Sequence, residues 1–182
     1  ENISSAWQNM LQLKADGLAR RVGVSNFYKQ HMDELLTHVS NDAEKPFANE
    51  IYIDLVHPED EYVKYLQSQN IHVLGYRSIA FVQVYSFLED VMEVLKGLME
   101  KVDKEITLAQ FILAVMMKRG IHVLSKSTNA ERIKENFLAS KFVDLITDEV
   151  LESCKQFDSH EMICMYGGQD EYATAFKGIS EQ

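Results

Sequence analysis

The segment Gly120-Ile121-His122-Val123-Leu124-Ser125-Lys126-Ser127-Thr128-Asn129-Ala130-Glu131-Arg132-Ile133-Lys134-Glu135-Asn136-Phe137 runs from a short apolar stretch through a polar turn into a helical pattern. Read as strand, loop and helix, it places a lysine and two hydroxyl side chains at a helix N-terminus. Amides of a first helical turn lack intrahelical partners, and the helix dipole is positive there, so such a turn suits a phosphate. Lys126 and Arg132 add charge; Ser127 and Thr128 add donors. The same residues also describe an ordinary capped surface helix. No glycine precedes Lys126 at the spacing of a Walker loop.

The alternation of strand and helix extends back through the whole chain. Ser5-Ala6-Trp7-Gln8 predicts a capping box opening a helix that carries Trp7, Met10 and Leu11 and closes near Gly17. A strand at 21–24 precedes Met32, Leu35, Leu36 and Val39 at helical spacing. Strands are expected at 47–53 and 71–76, with a helix bearing Tyr62, Val63 and Leu66 between them. Leu88, Val91, Met92, Leu95 and Met99 define another helix, and Thr107 with Gln110 caps the next, which carries Phe111, Ile112 and Val115. After the 129–137 helix, Thr147 caps one with Val150, Leu151 and Cys154.

Strands separated by helices imply parallel βαβ units. Such units close as a barrel or lie as a doubly wound sheet, and both place ligands at the carboxyl ends of strands. Ser25-Asn26, Asn49-Glu50, Tyr76 and Lys126-Ser127 all fall at expected strand ends or within strands that lead to them. A dinucleotide-binding doubly wound fold would show GxGxxG after its first strand, and this sequence has none.

At 182 residues, the chain fits one domain, 1–182, with a tail of uncertain structure at 158–182. A net charge of −10, from 28 acidic and 18 basic residues, disfavours nucleic acid or an anionic membrane as a general partner. Basic residues still cluster at Arg20-Arg21 and across 126–134, which leaves room for a small anion. Cys154 and Cys164 form no CxxC pair and read as reduced thiols of a cytoplasmic protein. The six histidines show no HExxH spacing, and no GxSxG elbow is present, so neither a metal site nor a hydrolase nucleophile is expected.

Four ordered motifs resemble the aldo-keto reductase family: Val22-Gly23-Val24-Ser25-Asn26-Phe27, Asn49-Glu50-Ile51, His72-Val73-Leu74-Gly75-Tyr76, and the 125–137 run. The resemblance, which extends over about 7–157, implies the fifth to eighth strands of a (β/α)8 TIM-type barrel, an α/β fold with parallel strands and helical crossovers. It implies NADP(H) as cofactor. Ser25, Asn26 and the position of Glu50 would meet the nicotinamide carboxamide, and Tyr76 would stack on the ring. Lys126, Ser127, Thr128 and Arg132 would meet phosphate, Glu135 and Asn136 adenine. Glu50 departs from the family's glutamine, and a carboxylate accepts from the amide but cannot donate to its carbonyl. Asp54-Leu55 stand in place of His-Pro, Arg77-Ser78-Ile79 in place of Ser-Pro-Leu, and 81–85 in place of a glycine-rich loop.

The family's proton-donor tyrosine, with its lysine, aspartate and histidine partners, lies in the first half of the barrel. The resemblance therefore implies a fragment with no catalytic residue of its own, active on a small carbonyl substrate only when completed by an N-terminal half. The rival is a catalytically inactive binding or scaffold protein that kept the fold. Four strands cut from a barrel leave open edges, so a homodimer through those edges is a further expectation.

Overall fold

The computed structural model describes residues 2–85 and 88–157. In chain order they form α1 (Ile3–Ala15), β1 (Val24–Ser25), α2 (Lys29–Leu36), β2 (Ala48–Tyr52), α3 (Asp60–Ser68), β3 (His72–Tyr76), α4 (Val82–Tyr85), α5 (Glu89–Val102), α6 (Leu108–Lys118), β4 (His122–Leu124), α7 (Ala130–Leu138) and α8 (Asp148–Cys154). The expected tail at 158–182, with His160 and Cys164, lies outside the described residues.

The four strands make one parallel sheet in the order β1-β2-β3-β4. Ser25 pairs with Glu50, Tyr52 with Tyr76, and Tyr76 with Leu124, so the strands advance in step toward one end. Side chains alternate across a strand. Ile51 and Val73 are buried beneath the helices, while Glu50, Tyr52, Leu74 and Tyr76 on the opposite face are half-buried and His72 and His122 are exposed. The apolar core therefore lies on the helix side, where Ile51, Val73, Leu66, Phe111, Ile112 and Met116 pack together. A smaller cluster of Trp7, Val22 and Leu35 joins α1 and α2, and the Trp7 indole donates to the Glu44 carbonyl at 2.9 Å.

α6 is apolar almost all round, and residues 110–116 are all buried, as expected for a helix wedged between the sheet and the outer layer. Gly75 marks the closest packing of β3. A Cβ there would lie 2.6 Å from Ile53 Cγ2 and 2.9 Å from Ile121 Cγ2, so only glycine lets the strand pass. Among the described residues, no helix is long and apolar enough to cross a membrane.

Several local expectations need correction. α1 starts two residues before the Ser5 box, because the Asn2 side chain takes the Ser5 amide at 2.9 Å and caps the helix earlier. β1 is Val24–Ser25 rather than 21–24, since only those two residues pair in register with β2; upstream, the Val22 carbonyl still accepts from the Phe47 amide. Val39 falls beyond the end of α2, and residues 82–85 form a helical turn. The box at Thr107 and the cap at Thr147 form as expected, and Asn129 caps α7.

Candidate functional site

A groove of about 860 Å³ opens at the carboxyl end of the sheet. Of the expected site residues, Glu50, Tyr76, Lys126, Ser127, Arg132, Glu135 and Asn136 line it; Arg77, α4 and the start of α6 complete its wall. The structure therefore brings together the ends of β3 and β4, the middle of β2 and the first turns of α7. Thr128 lies in an exposed bend outside the lining.

At one end, the polar turn is already partly self-capped. The Asn129 side chain accepts from the Arg132 amide at 3.0 Å, and Ser127 Oγ accepts from the Asn129 amide at 3.2 Å. Those amides are thus not open to an anion, which corrects the picture of an uncapped first turn. The charged groups of Lys126 and Arg132 remain at the cavity wall, and among the described residues no ion pair ties either one. The Glu135 carboxylate accepts from the Thr107 hydroxyl, and its backbone carbonyl accepts from Gln110 Nε2 at 3.2 Å, locking α7 to the cap of α6.

The other end is held by a run of hydrogen bonds between strands. The Tyr76 hydroxyl donates to Asn26 Oδ1 at 3.0 Å, Asn26 Nδ2 donates to Ser25 Oγ at 3.2 Å, and Ser25 Oγ donates to the Glu50 carbonyl at 3.1 Å. Asn26 adopts φ 56°, a left-handed conformation that asparagine tolerates better than most residues. Ser25 and Asn26 thus stand beside the groove, behind Tyr76, and outside its lining.

Asn49 explains why that turn keeps its shape, and sequence spacing alone did not reveal its part. It is fully buried, donates through Nδ2 to the Phe27 carbonyl at 2.7 Å and to the Tyr62 hydroxyl at 3.0 Å, and accepts the Phe27 amide at 3.4 Å. Tyr62 also donates to the Phe27 carbonyl, and burial pushes its phenol well above the usual tyrosine range, so it stays a neutral donor. A second cluster was equally missed. The buried Asp54 carboxylate accepts from the Val56 amide at 3.0 Å, the His57 amide at 2.8 Å and the Tyr52 hydroxyl, with His57 Nδ1 at 2.9 Å. Tyr52 also packs near Tyr76, ring centres 6.1 Å apart. Its proton is committed to a carboxylate, which makes it a poor acid toward a substrate. The Asp-x-x-His spacing was the available signal.

Arg77, next to Tyr76, takes φ 60° and turns the chain sharply into 78–81. Ser78 is buried, and its hydroxyl finds no partner among the described residues. No group of three or more metal-ligating side chains occurs among the described residues.

Comparison with known proteins places this geometry. The aldo/keto reductase family pattern matches residues 1–159. The chain is 31% identical over 169 residues to aldose reductase B of Dictyostelium discoideum, covering 90% of this chain and 49% of that protein. It is 28% identical over 165 residues to the aldo-keto reductase family 1 member D1 of Oryctolagus cuniculus, covering 87% and 49%. Among solved structures, a Bombyx mori aldo-keto reductase in complex with NADP superposes with a TM-score of 0.70 at 27% identity, covering 87% of this chain and 52% of that one. The aldose reductase of Schistosoma japonicum gives 0.72 at 25%, covering 92% and 52%. The chain thus spans about half the length of the relatives it matches.

Proposed function

The chain belongs to the aldo/keto reductase family, and from that premise we propose that it supplies strands five to eight of a (β/α)8 barrel and the adenosine-phosphate part of an NADP(H) site. The supporting observation is the single groove that gathers Lys126, Ser127, Arg132, Glu135 and Asn136 at one end and Tyr76 and Glu50 at the other. The residues present suit the cofactor's phosphate end. Lys126 and Arg132 would hold the 2′-phosphate through charge-assisted bonds, Asn136 and Glu135 would border the adenine, and Tyr76 would offer its ring to the nicotinamide. They suit the carboxamide end less well, because Glu50 brings a carboxylate and Ser25 and Asn26 are bonded internally.

NADPH, when bound, supplies hydride for reduction of a carbonyl. Protonating the resulting alkoxide needs a positioned acid, and no residue of this chain is assigned that role. Turnover of a small carbonyl substrate is therefore proposed only for the chain completed by an N-terminal half, in a cytoplasmic setting. The closed Tyr76-Asn26-Ser25-Glu50 run favours a second proposal, a catalytically inactive binding or scaffold protein.

Fluorescence titration with NADPH and NADH tests the first proposal. Tighter binding of NADPH is expected, with no reduction of generic aldehydes by this chain alone. Equal affinities would overturn the phosphate assignment, and turnover abolished by one tyrosine substitution would overturn the missing acid. Among the described residues, β1 and β4 each have one neighbour in the sheet, and open edges invite pairing, so we propose association of the isolated chain through them. Light scattering that gives a constant 20.9 kDa over concentration would refute it.

A further inference from the structure

The open face of the sheet carries a second feature outside the lining of the groove. His72 opens β3 and His122 opens β4, both on the open face and both exposed. His72 lies four residues, about 13 Å at strand rise, from Tyr76. Its Nδ1 stands 3.3 Å from His122 Nε2, the ring centres are 5.2 Å apart, and the planes cross at 68°. The Phe47 ring packs on His72 at 4.5 Å, and the Arg21 guanidinium lies on Phe47 at 4.1 Å.

We propose that His72 and His122 form a bidentate site for a zinc-, nickel- or copper-class divalent ion. Zinc–imidazole bonds are about 2.0–2.1 Å, and two nitrogens 3.3 Å apart at that reach subtend about 107°, close to the tetrahedral angle. Lone pairs converging on one ion at that length put the ring centres about 5.1 Å apart, against the 5.2 Å found. Imidazole pairs select this class of ion over magnesium or calcium, which prefer oxygen ligands. Two protein donors leave the remaining positions to water or a small exogenous donor, so the bound ion exchanges.

Calorimetric titration of the full 182-residue chain, without a histidine tag, against Zn(II) tests this. One ion per chain is expected at pH 7.5. His72→Gln and His122→Gln should each abolish uptake, His38→Gln should leave it unchanged, and NADPH titration of the two variants should match the parent. Circular dichroism reports whether each variant folds. If either does not, the electron paramagnetic resonance spectrum of Cu(II) on the parent chain decides, with coupling to two imidazole nitrogens expected. Absence of uptake by the parent, uptake that survives both substitutions, or copper coupled to fewer than two nitrogens would overturn the site. Because the groove is not involved, loss of NADPH binding in the parent would bear only on the proposed function.

Discussion

The two ends of the groove differ in what their polar groups already do. At the 126–136 end, Lys126 and Arg132 reach the cavity without an ion pair among the described residues, while the backbone beneath them is capped by Asn129 and Ser127. At the Tyr76 end, hydroxyl, amide and carbonyl are bonded to one another across three strands. One end is a rigid frame presenting unspent charge; the other is a closed circuit that a ligand must open. Binding energy is gained where groups need no rearrangement, so the phosphate end is expected to dominate affinity.

The strongest way to break this contrast is through Asn49. Asn49→Ala leaves the Phe27 amide without its acceptor and the Phe27 carbonyl with Tyr62 as its remaining donor, and should cost about 2–3 kcal/mol, read as a lower urea midpoint at unchanged slope. An unchanged midpoint would mean that Asn49 does not hold the Ser25-Asn26 turn. Next in size, Lys126→Ala and Arg132→Ala should each weaken NADPH by about tenfold, the lower range for a hydrogen bond to a charged group. NADH should move less than twofold. Parallel losses for both nucleotides would show that these side chains do not read the 2′-phosphate.

A smaller gain is expected from Glu50→Gln, which removes a negative charge from the groove and restores an amide donor. NADPH binding should tighten by about threefold to fivefold, equivalent to about 1 kcal/mol; weaker binding would show that the carboxylate has a use of its own. The smallest effect tests the frame instead of either end. Cys154, the last residue of α8, is buried, and burial pushes its thiol up to about 12. At pH 8.5 the folded chain should leave Cys154 unlabelled by iodoacetamide, as identified by peptide mass mapping. Because the folded state keeps a proton that the unfolded state loses, this group's contribution is intact below about pH 9 and is lost as pH rises toward 12. Rapid labelling of Cys154 at pH 8.5 would mean the outer helix layer opens far more readily than the groove.

Local chemistry made much of the architecture legible from sequence. Short apolar runs marked β2, β3 and β4, and the side chains of Thr107 and Thr147 marked two helix starts, because a strand's pleat and a helix's cap depend on near neighbours. The lysine, hydroxyl and arginine of 126–132 were equally plain, since strand, loop and helix carry them in one continuous segment. What neighbours in sequence could not decide was how these pieces spend their hydrogen bonds. Asn49 meets Phe27, 22 residues away, and the Tyr76 hydroxyl meets Asn26, 50 residues away. Asn129 and Ser127 turned out to cap the very amides that sequence left open to an anion. His72 and His122, which fall in two separate expected strands, face each other only because β3 and β4 pair with Leu74 opposite His122. The strand register set that meeting, and register is fixed by packing of the whole sheet against its helices.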